Sequence, residues 1–426
     1  MGAERRVPCA VRGGVTGQRG SGAAPGTDSG ERHRPSVTRP SSSGTGLPYM
    51  IAARLPCGGS RFAISFRTIG TLGTLDLSDT PRAACGHGEH DMTSDAMRIA
   101  VIGGGSWGTA LAHLLAGKGY DARLLLRDAD VAQAINTRHE NPRYLAGLAL
   151  HPGVRAHVAA GEALEGADVV LSVVPCQQVR GVLRGLRPLL PREVVFVSAS
   201  KGVEAGSMRT IAEMVAEELA GLDPHYAVLS GPSFAAEVVR NLPTAVVLGC
   251  TDADLGARLR EVFSTPGFRT YSSTDVRGVE LGGAVKNVIA IAAGLSDGLG
   301  FGSNARAGLI TRGLAEMSRL GEALGARAPT FMGLSGLGDL VLTCTGDLSR
   351  NRQVGLRLAE GRALADIVTE MRMVAEGVKT TEAVHDLAAA MGVAMPITDA
   401  MYSVLHDGAN PHDAVRELMT RELKEE

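Results

Sequence analysis

No charge of one sign prevails along this 426-residue chain, in which 43 lysines and arginines stand against 45 aspartates and glutamates for a formal net charge of -2 at pH 7. The basic footprint that holds a nucleic-acid backbone is absent, so no nucleic acid is expected as a partner. Long apolar runs are lacking too: no stretch approaches the roughly 20 consecutive apolar residues of a membrane span. The six cysteines, at positions 9, 57, 85, 176, 250 and 344, lack the paired spacing of a metal site. No metal is expected, and a reducing, cytoplasmic compartment fits. What remains is 44% apolar content in a chain long enough for a large core in two or three domains.

Lysine is missing altogether from the first 96 residues, which carry eleven arginines and runs such as Gly20-Ser21-Gly22-Ala23-Ala24-Pro25-Gly26. No helix or strand period is sustained there. Such a stretch buries too little apolar surface to offset its conformational entropy and reads as disordered. It can be an organelle transit peptide, although Glu4, Asp28, Glu31, Asp76 and Asp79 argue against that, or a functional tail. We favour a third origin, a start codon set too early, with translation beginning at Met92 or Met97.

A lysine stands inside the apolar helical stretch Gly282-Gly283-Ala284-Val285-Lys286-Asn287-Val288-Ile289-Ala290. Desolvating its ammonium costs several kcal/mol unless an opposite charge or good hydrogen bonds meet it. Glu280 and Asp297 are the nearest acids on either side, and neither lies within one turn. Asp297 returns to within about 20° of the Lys286 face but roughly 16 Å along the axis, so the two can line one cavity without touching. The partner of Lys286 is then a carboxylate from another segment or an anionic or carbonyl-bearing ligand, unless its stem simply snorkels to water.

Upstream, the buried-strand pattern Arg98-Ile99-Ala100-Val101-Ile102 runs into Gly103-Gly104-Gly105-Ser106-Trp107-Gly108 and then a helix to Gly117. Strand, Gly-x-Gly-x-x-Gly and helix in that order form the dinucleotide-binding fingerprint. Gly103 permits the tight turn, Gly105 lets backbone approach a pyrophosphate, and Gly108 allows the helix to pack against the strand. A second strand, Ala122 to Leu126, ends at Arg127-Asp128. An acid at that place takes the ribose 2′-hydroxyl of NAD, and an arginine accommodates the 2′-phosphate of NADP; with Arg127 first, NADPH is favoured over NADH.

Further strand-like runs at 168–175, 194–198 and 245–248 alternate with helical stretches. The fold class is α/β, a doubly wound Rossmann domain over 97–283 followed by an all-α domain over 284–426. Ligand chemistry belongs at the carboxyl ends of such strands. Ser198-Ala199-Ser200-Lys201-Gly202 and Ser230-Gly231-Pro232-Ser233-Phe234-Ala235 suit an anion or a carbonyl there. Asp339 beside glycines, Thr343, and Ser349-Arg350-Asn351 add a hydroxyl-binding carboxylate and a phosphate-binding guanidinium.

Taken in order over about 97–420, Gly-Gly-Gly-Ser-Trp-Gly-Thr-Ala, Ser-Lys-Gly-Val-Glu, Ser-Gly-Pro-Ser-Phe-Ala, Gly-Gly-Ala-Val-Lys-Asn-Val-Ile-Ala, Ser-Asp-Gly-Leu-Gly-Phe-Gly-Ser-Asn-Ala and Gly-Leu-Gly-Asp-Leu-Val-Leu-Thr-Cys-Thr resemble NAD(P)-dependent glycerol-3-phosphate dehydrogenase of the bacterial type. The resemblance implies reversible reduction of dihydroxyacetone phosphate to sn-glycerol 3-phosphate, the start of glycerophospholipid synthesis, by a homodimer. It places cofactor contacts on Ser106, Trp107, Arg127, Lys201, Ala235, Arg350, Val374 and Glu376. Substrate contacts fall on Lys201, Gly231, Ser233, Lys286, Asp339, Ser349, Arg350 and Asn351. Lys286 becomes the general acid/base, its pKa lowered by apolar surroundings and by Lys201. Lys201 and Asn287 polarise the carbonyl, Asp339 and Thr343 orient Lys286, and Arg350 grips the phosphate. Two rivals are a related hydroxyacid dehydrogenase and a non-catalytic NAD(P)-sensing protein.

Overall fold

The computed structural model describes residues 96–371 and 375–422, so the extension expected at 1–96, apart from its last residue, and Val374 lie outside the described residues. The strands are β1 (Arg98–Ile102), β2 (Asp121–Leu125), β3 (Arg155–His157), β4 (Val169–Ser172), β5 (Val195–Ser198), β6 (His225–Ser230), β7 (Thr244–Cys250) and β8 (Phe268–Ser273), the central ones built from apolar, β-branched-rich runs. They make one eight-stranded sheet in the order β3-β2-β1-β4-β5-β6-β7-β8. Successive side chains of a strand point to opposite faces. Accordingly Ile99 and Val101 of β1 enter one core with Leu111 and Leu115 of the Ser106–Gly117 helix. Ala100 and Ile102 enter the other, with Val179, Leu183 and Ile211. A sheet covered on both faces explains why these strands read as continuous apolar runs.

One pairing departs from the parallel sheet expected: β7 runs antiparallel to β6. The connection between them holds only the short Ala235–Val239 helix, and a strand that returns by so little chain reverses direction more readily than it crosses over. The edge strand β3 has three residues and β8 the polar sequence FRTYSS, so neither carries an apolar run to announce it.

Strand order reverses at β1, whose neighbours are β2 and β4, and the loops that follow β1 and β4 meet there. Val173 N–H donates to Ile102 O at 2.8 Å, and Gly103 N–H to Leu125 O at 2.9 Å. Ligands of open α/β sheets bind in the crevice at this switch point.

Helices make up the remainder, wrapped around the 23-residue helix Val276–Gly298, in which every residue from Gly278 to Ser296 is buried. This helix corrects the expectation that no segment approaches a membrane span: it is long and apolar enough to cross one, yet its apolar window is 100% buried inside the protein. A helix apolar on all sides is at home in a core. Position 283/284, taken from sequence as the junction between domains, lies inside this helix, and the described residues belong to one compact unit. Its glycines admit neighbours: a Cβ on Gly294 would sit 2.0 Å from Arg352 O, and one on Gly355 2.0 Å from Ile291 O. The Arg350–Ala359 helix thereby crosses it at backbone contact. Asp275 fixes its start, accepting from Gly278 N–H at 3.0 Å, Arg327 N–H at 2.9 Å and Thr330 Oγ1 at 2.6 Å.

Candidate active site

The lysine that lacked a partner in sequence finds one from 53 residues away. Lys286 Nζ donates to Asp339 Oδ1 at 2.6 Å and to Thr343 Oγ1 at 2.8 Å, with the residue only 6% exposed. Asp339 opens the helix Asp339–Thr345, directly after a π-helical turn, Leu334–Gly338. Such turns are rare and frequent at functional sites, because the extra residue re-aims the side chains that follow. Gly336 makes this one possible, since a Cβ there would lie 2.0 Å from Phe331 O.

Asp339 serves two lysines. Its Oδ2 accepts from Lys201 Nζ at 2.6 Å, and Lys201 also reaches Gly231 O at 3.3 Å. Lys201 follows β5 and Gly231 follows β6, so both arrive from carboxyl ends of strands while Lys286 and Asp339 come from the helical layer. Burial pushes the Lys286 ammonium down to about 8; Asp339 opposes the shift and Lys201 adds to it. Burial alone would raise the Asp339 carboxyl, but the two lysines outweigh it and hold that carboxyl below the usual range. The outcome is a permanently charged carboxylate beside an ammonium poised near neutral pH.

Each ammonium has three N–H donors. Lys286 commits two, to Asp339 and Thr343, and Lys201 two, to Asp339 and Gly231 O. One N–H on each is left for a substrate oxygen. Beside them, Asn351 Nδ2 donates to Asn287 Oδ1 at 2.8 Å, and Gly377 N–H to Asn351 Oδ1 at 3.0 Å, an amide chain that locks Asn287 one residue past Lys286. Ser349 caps the Arg350–Ala359 helix, its hydroxyl accepting from Arg352 N–H at 3.2 Å, and Arg350 is exposed at the first helical position. Ser233 Oγ turns back to Gly231 O at 3.0 Å. Asp297 is engaged by arginines rather than by Lys286: it accepts from Arg352 at 2.8 and 3.0 Å and from Arg306 at 2.9 Å.

The dinucleotide loop has the shape the fingerprint requires. Gly103 has φ +118°, and a Cβ there would meet Val173 O at 2.7 Å. A Cβ on Gly108 would strike Gly103 O at 1.9 Å, whereas one on Gly105 would have nothing within 4 Å. Gly105 therefore borders open space, and no side chain caps the helix it begins. A pyrophosphate fits that cradle of free N–H groups. Trp107 packs near Phe268 with ring centroids 6.4 Å apart, Arg127 is exposed just beyond β2, and Ala235 is half-buried against the sheet core. Glu376 reaches across from the helical layer and accepts from Cys176 N–H at 3.3 Å, at the start of the Cys176–Leu186 helix that follows β4. Burial raises its carboxyl, and Arg350 opposes that shift.

Sequence reasoning missed Asn141. Buried completely, it donates to Gly104 O at 3.1 Å and to Thr109 Oγ1 at 2.9 Å, bracing the glycine loop from outside. An asparagine before a proline reads as a turn, so nothing in the sequence marked it. Among the described residues, no group of three or more His, Cys, Asp or Glu side chains is placed to hold a metal ion.

Residues 98–256 match the family description NAD-dependent glycerol-3-phosphate dehydrogenase N-terminus, and residues 275–416 the corresponding C-terminus. The chain belongs to the NAD-dependent glycerol-3-phosphate dehydrogenase family. The glycerol-3-phosphate dehydrogenase, NAD(P)+, of Nitratidesulfovibrio vulgaris is 76% identical over 330 residues, 78% of this chain and 100% of the relative. That of Oleidesulfovibrio alaskensis is 69% identical over the same length, covering 78% and 100% of the two chains. Among solved structures, glycerol-3-phosphate dehydrogenase from Coxiella burnetii superposes with a TM-score of 0.73 at 42% identity, covering 76% of this chain and 99% of that one. Family membership makes NADH or NADPH the cofactor, and the Gly103–Gly108 cradle, open at Gly105, is where this chain has room for it.

Proposed function

We propose that this chain reduces dihydroxyacetone phosphate to sn-glycerol 3-phosphate and runs the reverse reaction, with Lys286 as proton donor and acceptor. The observation that carries the assignment is the bridge from Asp339 to Lys286 and Lys201, each at 2.6 Å, which ties the helical layer to the carboxyl end of β5. A bound nicotinamide supplies or takes the hydride. Interconverting ketone and secondary alcohol also moves one proton at the oxygen, and a positioned general acid contributes roughly 10²- to 10⁴-fold.

Lys286 does this with its uncommitted N–H: as ammonium it protonates the nascent alkoxide, and as amine it removes the hydroxyl proton. A group at about 8 is mostly ammonium at pH 7 yet keeps an accessible fraction of amine, so both forms a reversible reaction needs are within reach. Lys201, held by Asp339 and Gly231 O, presents its remaining donor to the same carbonyl, and Asn287 is the second polarising group. Thr343, whose hydroxyl also donates to Asp339 O at 2.6 Å, restricts Lys286 to one orientation. Gly231 and Ser233 line the turn beyond β6. Ser349, Arg350 and Asn351 form the phosphate end, where a guanidinium at a helix start suits a dianion. Ser106, Trp107, Arg127, Lys201, Ala235, Arg350, Val374 and Glu376 are the cofactor contacts in this reading, with NADPH preferred.

Unpaired, buried Cys176, Cys250 and Cys344 support a reducing, cytoplasmic setting. In this reading the chain acts as a homodimer and supplies glycerophospholipid synthesis. The test is oxidation of NADPH and of NADH with dihydroxyacetone phosphate against unphosphorylated dihydroxyacetone. Turnover confined to the phosphorylated ketone supports the reading. Nucleotide binding without turnover on either ketone would sink it and leave a sensor.

A further inference from the structure

We infer that Arg143 sets the 2′-selectivity of the coenzyme by pairing with Asp128, so that the end of β2 receives a phosphate rather than a hydroxyl. This rests on the dinucleotide reading above. Asp128 lies three residues past β2, where an unpaired carboxylate would accept the ribose 2′-hydroxyl of NADH and repel the 2′-phosphate of NADPH. It is also the residue that precedes the first turn of the Ala129–Arg138 helix, the position from which an aspartate ordinarily accepts helix N–H groups. Its side chain makes no such bond. The carboxylate is instead ion-paired to the Arg143 guanidinium.

The loop that carries Arg143 is held against the cofactor cradle on both sides of that residue. Asn141 donates to Gly104 O at 3.1 Å, and Tyr144 N–H returns to Asn141 Oδ1 at 3.1 Å. Ser106 Oγ, in the glycine loop itself, donates to Tyr144 O at 3.0 Å. Arg143 is therefore delivered to the rim of the dinucleotide site by backbone that the glycine loop fixes, not by a freely moving surface segment. Counting charges there gives Arg127 and Arg143 against Asp128. One guanidinium offsets the carboxylate, and Arg127, exposed and in no ion pair among the described residues, adds an uncompensated positive charge. Guanidinium donors match phosphate oxygens in pairs, which a hydroxyl cannot exploit.

The test measures dissociation constants of NADPH and NADH separately, by fluorescence titration, for wild-type protein, Arg143→Ala, Arg143→Lys, Asp128→Asn and the Arg143→Ala/Asp128→Asn double variant. Arg143 is half exposed, so its variants are expected to fold, and thermal melting checks this. Freeing the carboxylate should weaken NADPH about tenfold or more while NADH holds or tightens, and the double variant should recover most of the lost NADPH affinity. Arg143→Lys should lie between wild type and alanine. An NADPH-to-NADH ratio that Arg143→Ala leaves within about twofold of wild type would overturn the inference while leaving the dehydrogenase reading intact. A shifted ratio that Asp128→Asn fails to restore would overturn it too, because Arg143 would then act on the phosphate without regard to Asp128. Wild-type protein that bound neither nucleotide would sink the dinucleotide reading and this inference with it.

Discussion

Replacing Asp339 by asparagine removes one negative charge from a site where a buried and a partly buried ammonium share it, and its consequences separate into two measurable parts. The first concerns proton supply. Asp339 raises the Lys286 pKa while burial and Lys201 lower it, and the balance stands at about 8. An opposite charge in contact is worth about 1 to 3 units, so its loss should bring Lys286 to roughly 5 to 7. Ketone reduction needs the ammonium, and its rate therefore falls as pH rises through this value. The alkaline limb of the reduction profile should move from about pH 8 in the wild type to roughly pH 5 to 7 in Asp339→Asn. At pH 7 the protonated fraction falls from about nine-tenths to between about one-half and one-hundredth, a loss of about two- to ninetyfold before any misorientation is added. The second part concerns the fold. Breaking a buried pair leaves uncompensated charge and costs about 3–5 kcal/mol. The assays are initial rates of reduction from pH 5.5 to 9 at saturating NADPH and urea unfolding at pH 7. A variant that folds, turns over, and keeps its alkaline limb within about 0.3 units of wild type would refute the claim that Asp339 sets the charge state of Lys286.

Lys286→Met keeps the core filled but removes the proton donor; reduction should fall by about 10²-fold or more, with the NADPH dissociation constant within about twofold of wild type. A comparable loss of NADPH binding would instead make Lys286 a structural residue. Alanine at Gly105, where a Cβ meets nothing within 4 Å, should leave the melting temperature unchanged yet weaken either dinucleotide about tenfold or more by occupying the pyrophosphate's approach. Alanine at Gly108, where the Cβ would lie 1.9 Å from Gly103 O, should destabilise the protein itself by about 1–3 kcal/mol, so the two glycines should fail in different assays. Glu280 is buried against Tyr226 Oη at 2.5 Å and Ala212 N–H at 2.9 Å, and burial pushes its carboxyl up to about 7. A folded-state pKa raised above the unfolded one gives stability that is full below about pH 4.5 and lost as pH rises through about 7; the loss is about 3 kcal/mol. Glu280→Gln should flatten that decline in urea midpoints between pH 5 and 8, and an unchanged slope would contradict it.

What the sequence disclosed and what it withheld follow from the range of the interactions involved. The Gly103–Gly108 turn is local: its strand, its three glycines and its helix are contiguous, and every steric reason for them lies within the turn or in the β4 loop beside it. The reversal of β7 is not local, because the apolar pattern of Thr244–Cys250 is the same whichever way the strand runs. Asn141 acts on Gly104, a residue 37 positions away, through a hydrogen bond that leaves no periodic trace. The buried helix passed unremarked as a possible span for a related reason: the polar residues Lys286 and Asn287 interrupt its apolar run, and only the packing around it reveals them as interior groups that are satisfied.

Lys286 shows how far a physical argument can reach before geometry must complete it. Burial of a cation in apolar surroundings demands a partner, and that demand could be stated from composition alone. Identifying the partner required the π-helical turn at Leu334–Gly338, which places Asp339 where a regular helix would not, and the Gly294 and Gly355 contacts, which bring the Arg350–Ala359 helix to backbone distance from the same long helix. These features converge on one small region, and each demands glycine or a non-standard turn. Such backbone concessions lower stability wherever they occur. Their concentration around one shared carboxylate is explained if the arrangement is retained for chemistry: a core needing only stability would have replaced Lys286, Lys201 and Asp339 with apolar side chains of similar volume at little loss or at a gain.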